Sequence, residues 1–169
     1  MSQLLIVLAT VLAMEAVAWA VHKYIMHGDL GWGWHESHHT HTEGPWERND
    51  LYAVVFSILS AGLFIAGSLA FPVLWWIGVG MLVYGLLYAF VHDGLVHQRW
   101  PFEWMPKSGY LRRLVLAHRM HHHVTTKDDS VAFGFLYAEN PDRLKATLKA
   151  RRQTAREMAA RREKAARQA

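Results

Sequence analysis

The chain has 169 residues, a formal net charge of +4 at pH 7, 12 His, 8 Trp and no Cys. That length suits one domain and leaves no room for a second cofactor-binding module beside a membrane anchor. The lack of Cys excludes a disulfide framework, thiolate-bound zinc or iron–sulfur clusters, a thiolate-ligated haem and a Cys nucleophile.

In chain order, the first apolar stretch is Leu4–Val21, interrupted only by Glu15. It has no positive n-region, and cleavage at Ala18-Trp19-Ala20 would fall just before a histidine motif, so a retained membrane span is expected rather than a signal peptide. An acid inside a span is costly unless protonated or paired. Glu15 and His22 share a helix face two turns apart. Glu15 therefore either supports that histidine, or is protonated, or reaches back to the interface.

From Leu51 to Val91 there is no Asp, Glu, Lys, Arg or His, and Pro72 sits near the middle. A helix rises ~1.5 Å per residue and a bilayer core is ~30 Å thick, so roughly 20 apolar residues span once. Two spans, 51–70 and 73–91, joined by a turn at Phe71-Pro72, fit this stretch. A buried soluble hairpin would need more apolar covering than the rest of the chain supplies. The expected fold is an all-α integral membrane protein with three to four transmembrane helices and a histidine-rich cap. Residues 1–149 form the membrane unit and 150–169 a basic tail. Lys23 and Arg48 lie between the first two spans and every other Lys or Arg follows His92. With positive residues inside, the 22–50 loop and the C-terminus are cytoplasmic, as expected for a bacterial inner-membrane protein.

The tail begins with Asn140 as a helix cap and Pro141 at the first helical position. Beyond Arg143 its basic residues face only Glu157 and Glu163. A helix lying near anionic lipid is expected; without aromatic residues the tail is not expected to bind nucleic acid.

All the histidines fall in the two cytoplasmic stretches or at the span ends entering them. The first stretch contains His22 and His27, then His35, His38 and His39; the second contains His92 and His97, then His118, His121 and His122. Each is an HxxxxH followed by an HxxHH, leaving His41 and His123 as loop histidines or auxiliary donors. On a helix, i, i+3 and i+4 share a face, so each HxxHH presents three imidazoles together. Positions i and i+5 diverge by about 140° on a regular helix. Each HxxxxH therefore addresses two separate metals or sits where the helix bulges or ends, with Gly28 and Gly94 as places where irregularity is cheap. So many clustered imidazoles are unfavourable as cations, so neutral, metal-bound rings are expected. Ten nitrogens suit two metals with four or five each, and imidazole alone does not choose among Zn, Cu, Fe and Ni. Asp93, and less directly Glu36, either orient an imidazole through its second N–H or are exposed loop acids.

These blocks, with His22-Lys23-Tyr24-Ile25-Met26-His27-Gly28, Asn49-Asp50-Leu51-Tyr52, His92-Asp93-Gly94-Leu95-Val96-His97-Gln98-Arg99-Trp100-Pro101-Phe102, His118-Arg119-Met120-His121-His122 and Phe133-Gly134-Phe135, resemble the fatty-acid-hydroxylase superfamily of membrane non-haem di-iron oxygenases. More narrowly they are similar to its bacterial carotenoid-ring hydroxylases, over roughly residues 10–149. The resemblance implies O2-dependent hydroxylation of carbon 3 of the β-ionone ring. β-Carotene would pass through β-cryptoxanthin to zeaxanthin, and ring-ketolated carotenoids towards astaxanthin. It also implies two Fe ions on the ten motif histidines, with Zn as a purification substitute, and an external electron donor of the ferredoxin-and-reductase kind. A C40 polyene is a bilayer solute, so one ring could reach a site at the span ends. Trp32, Trp34, Trp100, Phe102 and Trp104 serve as interfacial anchors or line the ring entrance. Tyr84 and Tyr88 border a substrate groove or pack helices. Two other readings stay open: a related lipid hydroxylase or desaturase, and a non-catalytic membrane metal-binding protein.

Overall fold

The structure, a computed structural model, describes residues 2–40, 44, 46–101 and 104–168. His41 and Phe102 lie outside the described residues. The elements are α1 (Gln3–Ala20), α2 (Trp32–His39), α3 (Asp50–Leu69), α4 (Pro72–Tyr88), α5 (Gly109–His121) and α6 (Pro141–Ala166). Two π-helical segments, Val21–Met26 and Ala89–Val96, continue α1 and α4 without a break.

Among the described residues, three continuous helices are long and apolar enough to cross a membrane: Gln3–Met26, Asp50–Leu69 and Pro72–Val96. They match the three stretches read from sequence, and each of the outer two runs on through its π segment. Pro72 opens α4 where its missing N–H goes unused. The Ala70 and Phe71 N–H groups close the end of α3 onto Ala66 O. Small residues let the spans approach closely: a Cβ on Gly80 would lie 2.5 Å from Thr10 Cβ, and one on Gly67 would lie 2.4 Å from Trp75 N. Most large side chains of the bundle point outward, with Leu12 74%, Ile58 66% and Leu86 63% exposed. A contiguous apolar surface of this kind is what lipid covers.

The cap sits at one end of this bundle. Leu114, Ala117 and Met120 of α5 pack with Val91, Val131, Ala138, Leu144 and Leu148, joining α5, the second π segment, the 124–139 loop and the start of α6. Asn140 Oδ1 accepts the Asp142 N–H at 2.8 Å, and Pro141 follows at the first turn. Beyond Leu148, α6 is exposed, with Arg151 reaching back to donate to Asp129 O at 2.6 Å and Ser130 O at 3.0 Å.

Candidate metal centre

The π segments resolve the two options left open for HxxxxH. In each, the backbone bond runs i to i−5: His27 N donates to His22 O and His97 N to His92 O, both at 3.0 Å. This wider turn stacks i over i+5. The His22 and His27 rings come within 5.3 Å of each other, and His92 and His97 within 4.5 Å. Each pair therefore serves one place, not two. Gly28 follows the first pair, where a Cβ would lie 2.2 Å from Tyr24 O.

Ligand atoms of His22, His27, His35 and His121 lie within 4.8 Å of one another, as do those of His38, His92, His97 and His118. His39 joins the first group, its Nε2 lying 3.2 Å from His35 Nε2 and 3.1 Å from His121 Nε2. His122 joins the second, with Nε2 3.0 Å from His118 Nε2. The helical HxxHH motifs are shared between groups. In α2, His35 and His39 face the first group and His38 the second. In α5, His118 faces the second group and His121 the first, and His122, just past the end of α5, faces the second. Each group thus collects an i, i+5 pair from a π segment, an i, i+4 pair from one helix and one imidazole from the other. Tyr52 holds α2 in place, its hydroxyl donating to Gly31 O at 2.9 Å.

The hydrogen bonds fix which nitrogen points inward. A backbone carbonyl only accepts, so His22, His27, His39 and His121 carry the proton on Nδ1. They donate to Phe133 O (2.9 Å), Lys127 O (2.8 Å), Val124 O (2.7 Å) and Val131 O (2.9 Å) respectively. His35 donates to Asn49 Oδ1 at 2.7 Å, His38 to Glu47 Oε2 at 2.8 Å and His92 to Asp93 Oδ1 at 2.8 Å. The Nε2 lone pairs of these seven rings then converge. His22 and His35 meet at 3.1 Å, His27 and His121 at 3.1 Å, and His38 and His92 at 2.9 Å.

Two lone pairs at such distances repel. A proton shared between them would turn repulsion into a hydrogen bond, but burial opposes it: His35 is lowered to about 3, and His39 and His97 to about 4. His122 falls to about 2, again chiefly through burial and then neighbouring imidazoles. A cation removes the conflict. Two nitrogens bound to one ion at about 2.1 Å and at right angles are about 3 Å apart, the spacing seen here. His97 Nε2 is also buried without a hydrogen-bond partner among the described residues. The donor set therefore fits metal ions in both groups, and either group could hold one.

Sequence reasoning missed most of the residues that orient these rings. Glu47 and Asn49 stand in the short approach to α3. Arg99 ties that approach to the second π segment, donating to both carboxylate oxygens of Asp50 at 2.8 and 2.7 Å and lying 3.7 Å from Asp93. Four acceptors are backbone carbonyls of 124–133, a segment without regular secondary structure. Of the residues singled out from sequence, Asp93 bonds His92, Glu36 is exposed, and His123 is exposed away from both groups. Trp32 packs on the His27 and His39 rings at 5.4 and 5.5 Å, and Trp104 is exposed.

A cavity of about 420 Å³ lies between the spans beneath the groups, bounded by Met14 and Ala18 of α1, Phe56 of α3, Tyr84 and Tyr88 of α4, and Phe135. Its inner wall touches the histidines directly. Tyr88 stacks on His92 at 4.5 Å, and Phe135 stacks on His22 at 4.9 Å and lies 5.5 Å from His92.

A helical bundle with candidate membrane spans and two buried histidine groups over an apolar cavity is the architecture of a membrane protein able to hold metal ions beside an apolar ligand. The chain belongs to the fatty acid hydroxylase family, whose model matches residues 7–147. It is 58% identical over 149 residues to a beta-carotene hydroxylase of Paracoccus sp. (strain PC1), covering 88% of this chain and 92% of that one. To a beta-carotene hydroxylase of Pantoea ananas it is 59% identical over 147 residues, 87% and 83% of the two chains. A chloroplastic beta-carotene 3-hydroxylase 1 of Arabidopsis thaliana is 41% identical over 129 residues, 72% of this chain and 39% of that longer one. No solved structure matches the chain. It is a membrane hydroxylase of that family.

Proposed function

We propose that this enzyme hydroxylates carbon 3 of the β-ionone rings of carotenoids with O2. It would convert β-carotene to β-cryptoxanthin and then zeaxanthin, and ketolated rings towards astaxanthin. The observation that carries the reading is the apolar cavity, which shares Tyr88 and Phe135 with the histidine groups. Its volume suits one end ring, leaving the polyene in lipid between the spans. The names of the bacterial relatives support the same substrate.

Two iron ions are assigned, one to His22, His27, His35, His39 and His121, the other to His38, His92, His97, His118 and His122. When bound, they supply the activation of O2 and the oxidising power for the ring C–H bond. The chain's own residues hold the imidazoles neutral with Nε2 inward, place the ring against Tyr88 and Phe135, and keep water from the apolar cavity. Asp93 orients the His92 ring as hydrogen-bond acceptor. One turnover replaces a ring C–H by C–OH. One oxygen of O2 enters the hydroxyl and the other leaves as water, with two electrons and two protons drawn from outside the chain. Ferredoxin with its reductase is the proposed donor.

We further assign the protein to the bacterial inner membrane with the metal groups and C-terminus cytoplasmic, as the distribution of Lys and Arg supports. Residues 1–149 form the hydroxylase unit, and 150–169 a basic extension beside anionic lipid. The test is expression in a β-carotene-accumulating bacterial host under air, with the pigments separated by chromatography and mass. Cryptoxanthin and zeaxanthin are expected only with the intact chain. Unmodified β-carotene beside membrane-inserted, metal-loaded protein and a working ferredoxin system would overturn the substrate assignment.

A further inference from the structure

Glu15 is an acid in the middle of the first span, and its surroundings explain its presence there. Its carboxylate accepts the Tyr84 hydroxyl at 2.8 Å. It also accepts three consecutive backbone N–H groups: Phe135 at 3.0 Å, Leu136 at 3.0 Å and Tyr137 at 2.9 Å. Four donors on one carboxylate satisfy an acid that would otherwise be costly in a span. The approach is close enough that a Cβ on Gly134 would lie 2.9 Å from Glu15 Oε1 and 2.6 Å from Tyr137 O.

The captured loop is the one that orients the first histidine group. Two residues before Phe135, Phe133 O accepts the His22 Nδ1–H; Val131 O accepts that of His121. Phe135 itself lies flat on His22, with ring planes 18° apart. Val131 and Phe135 are both buried. Glu15 thus fastens the loop to α1 two turns from His22, on the helix that carries that ligand. In the second group, His38 donates its Nδ1–H to Glu47 and His92 to Asp93, and the loop meets this group through ring contacts of Phe135 with His92 at 5.5 Å and His118 at 5.9 Å.

We infer that Glu15 is a positioning residue for the first metal group, holding the 133–137 loop so that Phe133 O and the Phe135 ring set His22, while His38 and His92 of the second group are oriented by carboxylates outside that loop. This rests on the two-metal reading. Through Tyr84 and Phe135 the same carboxylate also fixes two walls of the cavity, so loop position and ring position are set together.

The test is Co2+ binding to metal-depleted, full-length protein in detergent, titrated against a competing chelator. The wild type is expected to take up two ions per chain. Glu15→Ala should weaken one ion by about 10–100-fold, the usual consequence of losing a group that orients a ligand, and leave the other unchanged. Glu15→Gln, which keeps one acceptor oxygen, should give a smaller loss at the same ion. Gly134→Ala, whose Cβ would press on both Tyr137 O and Glu15 Oε1 and so part the loop from an intact carboxylate, should reproduce the one-ion defect. Two unchanged ions in Glu15→Ala, or an equal loss at both with a falling unfolding temperature, would overturn the inference and leave the two-metal reading standing. Fewer than two ions in the wild type would overturn that reading and this inference with it.

Discussion

Glu47 and Asn49 are two positions apart in sequence, yet they orient imidazoles of different groups. Glu47 accepts from His38 in the second group and Asn49 from His35 in the first. The His38 side chain is 1% exposed and Glu47 14%, so water cannot readily replace the lost acceptor. Burial pushes the Glu47 carboxyl up and Arg99 opposes that shift. Replacing either residue by Ala leaves a buried N–H unpaired, a penalty of about 1–3 kcal/mol. A 10–100-fold loss of metal affinity corresponds to about 1.4–2.8 kcal/mol, so the two magnitudes agree. Each single variant should therefore bind one ion as tightly as wild type and the other 10–100-fold more weakly, read by chelator competition on metal-depleted protein. The double variant should weaken both ions. A double variant that still holds one ion at full affinity would mean that both residues serve the same ion, and the division of the histidines would be wrong.

Gly85 lines the cavity and a Cβ there would meet nothing within 4 Å. Gly85→Leu should keep both metals and its unfolding temperature while lowering carotenoid turnover by about tenfold or more, because the added side chain occupies ring space; unimpaired turnover would move the ring elsewhere. Asp93→Ala should reduce hydroxylation with less metal loss than His38→Ala, by frozen-cell pigment ratios and metal analysis; unchanged turnover would leave Asp93 without a role in the site. In the metal-depleted protein, His35, His39, His97 and His122 are all held below the ordinary value near 6.5 by burial. A lowered folded-state value means the unfolded chain binds more protons, so stability is full above about pH 6.5 and is lost as the pH falls towards 4. Circular dichroism melts should show this fall; a melting temperature flat from pH 7 to 4 would refute the neutral-imidazole account.

The three spans were legible because a bilayer demands long uncharged runs, and that demand leaves its mark residue by residue. The gathering of the histidines was legible for a similar reason: in a doubled spacing, a surface or core role for each imidazole separately is a poor account. The local route from HxxxxH to a shared group was not. A regular helix sends His22 and His27 apart, and only the π turn, stabilised by the packed cap, stacks them. The orienting residues were harder still. Four acceptors are carbonyls of Val124, Lys127, Val131 and Phe133, which carry no side-chain signature. Asp50 and Arg99 meet across 49 positions with nothing local to pair them. Glu15 was visible as an anomaly, but its partners are the Tyr84 hydroxyl and backbone N–H groups more than a hundred residues away. Tyr84 and Tyr88 could be placed on one face from their spacing, whereas the cavity they line depends on how α1 and α3 close around them.

Two separate histidine groups should each hold one ion. Anaerobic loading of the purified, full-length protein with isotopically enriched ferrous iron, followed by metal analysis and Mössbauer spectroscopy, tests it directly. Two nitrogen-ligated ferrous ions per chain are expected, with His121→Ala and His38→Ala each impairing a different one. A single ion per chain, or one spectral component lost in both variants, would contradict it.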